Sequence, residues 1–192
     1  MKSILVMTGM VVFIIFSAFI CVSAMEFSAD MISKSGGQSF TSKVYMKDKK
    51  VRTESPGQPG YSIVRQDKNV VWVVMPDTKT YMEMAYDPAQ SQVPTEKVQG
   101  EVSRKLVGKE KIDGHPTEKY LVTVKEKGKT SEMYQWIATD LKFPVKTAAV
   151  DGSYSVEYKN IKMSAPDNLF EIPGGYQKVT MPAMPKGMMK RK

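Results

Sequence analysis

The chain has 192 residues, with 28 Lys and Arg against 20 Asp and Glu, so its formal net charge is +8. One Cys and one His cannot form a zinc cluster of Cys and His ligands or a framework of disulfides. The length suits one domain with tails, and a hydrophobic share of 42% is enough for a folded core.

Residues 1–24 have the composition of a secretory signal peptide. Lys2 is the positive residue near the N-terminus, a long apolar run follows, and residues 22–24 fit the small-residue cleavage pattern. The run approaches a membrane-spanning length, so an uncleaved inner-membrane anchor is the alternative. Ile20 stands where a bacterial lipoprotein signal has a small residue before Cys21, which argues against lipidation. We therefore expect an exported protein, in the periplasm, with no nucleic-acid partner.

Residues 25–176 alternate between apolar and polar side chains, which predicts antiparallel strands with one buried face. Residues 70–75 are apolar at every position, which predicts a central strand covered on both sides; residues 131–138 are similar. Residues 84–92 favour a short helix or an ordered loop. The clearest alternation lies at residues 39–47, 116–126 and 153–159, and turn-forming residues occupy positions 35–37, 55–60, 67–69, 113–116, 127–128 and 151–152.

Residues 177–192 form a basic tail, rich in Met and Pro, that we expect to be mobile after a first stretch able to pair. Removing Lys2 and the five cations of the tail leaves 22 basic and 20 acidic residues in the domain. The domain is therefore nearly neutral, and the tail is the candidate contact with an anionic membrane surface or an envelope protein. Its thioethers also suggest Cu(I) binding as a further alternative, through Met181, Met184, Met188 and Met189.

No catalytic constellation is visible in the sequence. His115, the one imidazole, falls in a turn, where an exposed hairpin-tip residue is the ordinary expectation. Phosphate loops, serine nucleophile elbows and metalloprotease helices are absent, and the carboxylates are mostly flanked by Lys. We expect a protein that is not an enzyme and has no cofactor or resident metal.

The order and spacing of seven segments carry a family resemblance. They are an opening strand at residues 26–32, residues 43–47, residues 50–54, residues 71–84 with their Trp and Met, residues 112–120, residues 136–144, and a closing stretch at 166–176. Together they resemble periplasmic proteins with the lipoprotein-carrier (LolA/LolB-like) fold, most closely a bacterial family of unknown function with that fold. The resemblance implies a mainly β protein with little helix. Its single, strongly curved antiparallel sheet would form an incomplete barrel whose inside can hold acyl chains.

From the residues and the resemblance we predict a binding protein for an apolar or lipid-like ligand held in the concave face of the sheet. An envelope structural or interaction protein, with a solid core and a binding tail, is the alternative. Arg52 and Arg65 are the candidates for a rim that meets an anionic head group. The predicted ligand-lining residues are Phe40, Val44, Met46, Trp72, Val74, Tyr120, Val122, Trp136, Tyr154 and Val156.

Overall fold

The computed structural model describes residues 25–88, 95–126 and 128–180. The predicted signal peptide and the four Met residues of the tail lie outside these ranges. Within them, no helix is long and apolar enough to cross a membrane.

The fold is one twelve-stranded sheet, and the prediction of a mainly β protein with little helix is confirmed. The spatial order is β12-β6-β5-β4-β3-β2-β1-β11-β10-β9-β8-β7, antiparallel throughout except for the parallel pair of β12 with β6. β12 and β7 are the two edges, so the sheet is not closed into a barrel. The strands are β1 (Glu26–Ser35), β2 (Gln38–Lys47), β3 (Lys50–Glu54), β4 (Tyr61–Arg65), β5 (Val70–Met75), β6 (Thr80–Ala85), β7 (Glu101–Ile112), β8 (His115–Glu126), β9 (Lys129–Ala138), β10 (Phe143–Ala149), β11 (Tyr154–Lys162) and β12 (Gln177–Lys178).

Residues 84–92 depart from the sequence-based expectation of a helix or loop at their start. Met84 and Ala85 end strand β6, where they pair with Val71 and Val70 of β5. The cross-strand partner outweighs the weak local preference of this stretch, because β propensity depends mainly on packing against neighbours. Residues 89–94 lie outside the described ranges.

The two faces of the sheet follow from the strand register, because residues directly opposite in antiparallel neighbours point to the same side. When directly paired residues are followed from strand to strand, Val73 of β5, Val44 of β2, Val156 of β11 and Val122 of β8 lie on the same side of the sheet. We call this side the Val44 face. The opposite side, which includes Trp72 of β5, is the Trp72 face.

Aromatic rings pack where the central strands meet. The ring centroids of Phe27 and Phe143 lie 4.6 Å apart, and that of Tyr158 lies 6.2 Å from Phe27 and 5.3 Å from Phe143. All three residues are buried, and burial raises the pKa of the Tyr158 phenol well above its ordinary value. This cluster joins β1, β10 and β11, which are distant in sequence.

A C-terminal segment (residues 165–176), which contains the short 3-10 helix Asp167–Phe170, covers the Trp72 face of β3 to β6. Ala165 and Phe170 are fully buried there, against Ile63, Trp72 and Val74 of the sheet. The expectation that residues 70–75 are covered on both sides is therefore met on this face, whereas Val71, Val73 and Met75 on the other side are half-buried.

Gly60 lies before β4, where its backbone passes against β5. A Cβ at this position would overlap the carbonyl oxygen of Val74, which the sheet holds in place. We expect Gly60→Ala to lower the free energy of unfolding by about 1–3 kcal/mol, the usual cost of overpacking, measured by urea denaturation.

Gly174→Ala is the matched control, because a Cβ at Gly174 would meet no atom within 4 Å. Its free energy of unfolding should stay within about 0.5 kcal/mol of the wild type. Equal midpoints for both variants would contradict the steric argument.

Candidate ligand-binding site

The predicted ligand-lining residues divide between the two faces of the sheet. Seven share the Val44 face: Phe40, Val44, Met46, Tyr120, Val122, Tyr154 and Val156. The other three, Trp72, Val74 and Trp136, lie on the Trp72 face. Alternation with a period of two shows which residues of one strand share a face. The register between strands decides which residues of different strands lie on the same face of the sheet.

The seven residues on the Val44 face differ in how accessible they are. Val44, Met46 and Val122 are already buried by the protein itself, whereas Phe40 is 58% exposed. Tyr120, Tyr154 and Val156 are half-buried. A ligand on this face would therefore meet the half-buried and exposed members, with the buried ones forming the floor beneath them.

Tyr154 joins two strands of this face. Its hydroxyl donates a hydrogen bond to the Met133 sulfur, at 3.6 Å, and burial raises the pKa of its phenol. Met133 pairs directly with Val122, so the contact links the β11 and β8 parts of the surface.

The same face continues over β4, β5 and β6 as an apolar surface, which we call the Val–Met surface. None of these residues is among the predicted ligand-lining residues. For those on β5 the reason is that an entirely apolar strand predicts burial on both sides. The C-terminal segment covers only the other face, so five of these side chains are half-buried and Met84 is 40% exposed. The surface consists of Val64, Val71, Val73, Met75, Met82 and Met84.

Two buried polar groups lie among the apolar residues of the Val44 face. Arg104 pairs directly with Val122 in the register, and Gln135 pairs with Tyr120. Arg104 donates to the carbonyl of Glu96 and Gln135 to that of Thr95, so neighbouring residues of one segment hold both side chains. Arg104 Nη1 and Gln135 Oε1 have no hydrogen-bond partner among the described residues.

The carboxylate of Glu101 balances the positive charge of Arg104. Its carboxylate accepts two hydrogen bonds from Arg104, each 2.8 Å long, which lowers the pKa of Glu101 and raises that of Arg104. The free Nη1 remains a donor on a guanidinium whose charge is already balanced. The arrangement thus offers one donor and one acceptor rather than a net charge. No sequence signal marked it, because β7 lacks regular alternation.

Arg52 and Arg65, the predicted rim cations, both bind the C-terminal segment. Arg52 donates to the carbonyl of Leu169 and to Glu54, and its guanidinium lies 3.6 Å from the Tyr61 ring centroid. Arg65 is 4% exposed and donates to the carbonyl of Phe170. Both arginines lie on the Trp72 face, opposite the apolar surface described above.

Arg65 also binds two carboxylates. Its Nε and Nη2 donate to Asp67 at 2.8 and 2.6 Å, and its Nη1 donates to Glu171. The hydrogen bonds from Arg65 lower the pKa of Asp67 to about 2. Burial works to raise the pKa of Glu171, but bonds from Arg65 and Lys68 leave it below its ordinary value.

Trp136 lies among charged side chains on the Trp72 face. The Lys119 and Lys146 ammonium groups lie 4.7 and 5.1 Å from its ring centroid, and its indole nitrogen donates to Glu110. These long side chains cover the indole, which is buried, and cation–π attraction stabilises the arrangement.

His115 begins β8 and bonds Asp140 at 2.8 Å, which lowers the pKa of that carboxyl. This contact ties two neighbouring turns together. Among the described residues no group of three or more His, Cys, Asp and Glu side chains is placed to hold a metal. The copper hypothesis concerns tail methionines beyond the described ranges and stays a prediction.

A cavity of about 670 Å³ lies on the opposite side from the Val–Met surface, between the β3–β4 loop and β1 to β3. Asp30, Lys43, Arg52, Glu54 and Tyr61 are among the residues that line it. Its mixed charges suit water and polar groups better than an acyl chain.

Fold and site together define a class of protein: an open antiparallel half-barrel with an apolar face and isolated buried polar groups. The chain belongs to the family described as "Domain of unknown function (DUF4412)", whose model matches residues 25–142. The prediction of a family of unknown function is confirmed. A comparison with curated proteins gives no match.

One solved structure shares this fold at low sequence identity, and two others are similar to a lesser degree. An uncharacterized conserved protein from Thermus thermophilus is 14% identical with a TM-score of 0.55, over 81% of this chain and 90% of that one. MucB in complex with MucA(peri) is 13% identical with a TM-score of 0.49, over 78% of this chain and 54% of that one. Lipoprotein LppX from Mycobacterium tuberculosis is 17% identical with a TM-score of 0.45, over 72% and 88%.

Proposed function

We propose that this protein is an exported, non-enzymatic binding protein of the cell envelope that holds an apolar or lipid-like ligand on the Val44 face. The observation that carries the proposal is the Val–Met surface, an apolar part of the sheet that the C-terminal segment leaves uncovered. Contiguous apolar surface left uncovered on a soluble protein often marks a binding site. Met side chains also adapt to ligands of irregular shape.

The burial pattern supports the Val44 face as the concave one. In the middle of the sheet Val44 and Met46 are buried, while their neighbours Thr41 and Lys43, on the opposite face, are exposed. No described helix covers the Val44 face there, so the burial comes from the sheet curving around its own side chains. A ligand on the flanking Val–Met surface would lie inside that curve.

Arg104 and Gln135 give the proposed site polar specificity. The free Nη1 donor suits a carbonyl or carboxylate oxygen, and the free Oε1 acceptor suits a hydroxyl or amide proton. Buried groups without partners are costly, so a ligand that satisfied both would gain affinity. An acyl chain would add about 0.8 kcal/mol for each CH₂ removed from water, before the entropy lost on binding.

The proposal predicts that the protein carries lipid when it is purified gently. The full chain should be expressed with its own leader, recovered from the periplasm and measured by native mass spectrometry with solvent extraction. Met82→Glu should weaken uptake of a fluorescent fatty acid by at least about tenfold, because it places a carboxylate under the chain.

Met163→Glu is the matched control, since Met163 is 58% exposed and lies outside the Val–Met surface. It should leave uptake within about twofold of the wild type, because exposed substitutions rarely matter. Equal losses in both variants, or no extracted lipid and no uptake by the wild type, would sink the proposal.

The alternative of an envelope interaction protein with a basic tail has its own supporting observation. The chain is fixed to the sheet edge where the tail begins: the amides of Gln177 and Val179 donate to the carbonyls of Lys79 and Tyr81, and Lys178 pairs with Glu83. Residues 181–192 therefore start from a fixed point. Their deletion should abolish binding to phosphatidylglycerol vesicles but leave fatty-acid uptake intact; unchanged vesicle binding would exclude this role.

A further inference from the structure

The two ends of the sheet differ in whether a short strand covers the longer outer strand. The β6 edge is capped by β12, whereas β7 pairs only with β8 among the described residues. β7 is twelve residues long, and its outer backbone N–H and C=O groups have no strand partner within the described ranges. An open edge of this length is a template for a further strand.

β7 also carries exposed apolar side chains. Val102 is 60% exposed, Leu106 46% and Val107 44%. Three of the seven exposed large hydrophobic residues among those described lie on this one strand, so the edge offers side-chain contacts as well as backbone groups.

The β7 edge carries exposed, positively charged side chains that another molecule can contact. Lys105 and Lys111 are exposed and make no ion pair with a described residue, and the Lys109 side chain, though it contacts Glu118, is 70% exposed. The two acids of β7 accept hydrogen bonds within the protein, Glu101 from Arg104 and Glu110 from the Trp136 indole. With four basic residues against these two acids, the strand keeps a net positive charge.

We propose that β7 is a docking edge for an extended acidic segment of another protein, which adds to the sheet as a thirteenth strand. Backbone hydrogen bonds would supply affinity, and the lysines would select acidic side chains. The bulges between Glu101 and Ser103 and between Leu106 and Gly108 interrupt the edge, which limits indiscriminate pairing.

Charge argues against other occupants of this edge. A second copy would bring two strands of the same net positive charge together, and like charges on neighbouring strands destabilise a sheet. The parts of this chain outside the described ranges, residues 1–24, 89–94, 127 and 181–192, contain no acidic residue. These segments therefore cannot supply an acidic strand, which favours a different protein as its source, and this inference does not depend on the lipid ligand.

The test is a nuclear magnetic resonance titration of the ¹⁵N-labelled protein with a synthetic peptide of about twelve residues in a Glu-Glu-Val repeat, which matches the length of β7 and places Glu on both faces of the added strand. Amide shifts should be confined to β7 and β8. The double variant Lys105→Glu, Lys111→Glu should bind at least about tenfold more weakly, whereas the control Lys34→Glu, Lys49→Glu, whose lysines are exposed elsewhere, should stay within about twofold.

Several results would overturn the proposal. They are no shifts at about 1 mM peptide, equal binding of a peptide with Lys in place of Glu, or shifts centred on the Val–Met surface. A dimer in light scattering that the β7 double variant abolishes would instead assign the edge to a second copy. Loss of lipid uptake with intact peptide binding would count against the proposed function alone.

Discussion

Phe170→Ala is expected to lower the free energy of unfolding by about 3–5 kcal/mol, as large-to-small changes of buried aromatic residues do. Phe170 has no solvent exposure and packs against Ile63, Trp72 and Val74, the buried side chains between the C-terminal segment and the sheet. The segment around it forms only a short 3-10 helix, so little local structure can compensate. Urea denaturation followed by tryptophan fluorescence measures the change.

Met163→Ala serves as the control for this prediction, because Met163 is 58% exposed shortly before the same segment. It should change the free energy of unfolding by less than about 0.5 kcal/mol. If Phe170→Ala shifted stability no more than this control, the C-terminal segment would not be part of the cooperative fold.

Arg65→Met is expected to cost about 2–4 kcal/mol, because a nearly buried cation here bonds two carboxylates and a backbone carbonyl. The Met side chain keeps most of the apolar stem but leaves the carbonyl of Phe170 without its donor. Asp67 and Glu171 are partly exposed and regain water, which keeps the cost below that of two buried unpaired charges.

The same variant should alter the pH dependence of stability. The pKa of Asp67 is about 2 in the folded protein against an ordinary 3.8, so its ionised form favours the folded state above pH 3.8. That contribution is lost as the pH falls from 3.8 towards 2, and the difference between wild type and Arg65→Met should shrink over this interval. Denaturation curves at several pH values measure it.

Lys68→Met is the matched control for Arg65. Lys68 bonds Glu171 at 3.2 Å, but its side chain is 46% exposed, so its loss should cost no more than about 1 kcal/mol. A constant difference between wild type and Arg65→Met down to pH 2 would show that Asp67 does not depend on Arg65.

Strand content was predictable from the sequence because alternation is a local property. Residues 39–47, 116–126 and 131–138 all fall within strands of the structure, and residues 70–75 coincide with β5. β7 was not predicted as a strand, because its two bulges break the period of two against which alternation is judged.

The composition of the candidate site was predictable only in part. The sequence named apolar strand residues for the site, but it grouped Trp72 and Val74 with Val44, although the register places them on opposite faces. Arg52 and Arg65 were chosen for their charge, but each also donates to a backbone carbonyl of the C-terminal segment, more than a hundred positions away in the chain. Local patterns do not contain such pairings.

The sequence alone determined that the excess charge resides in the tail: the domain between residues 25 and 176 is almost neutral, and a cation count along the chain suffices to show it. It also determined the strand-rich fold, because alternating side chains are compatible with few other structures. The tertiary structure decided which apolar residues stay uncovered, since that depends on which face the C-terminal segment packs against. It equally decided which edge remains open, because β12 caps β6 through backbone hydrogen bonds that no side-chain pattern encodes.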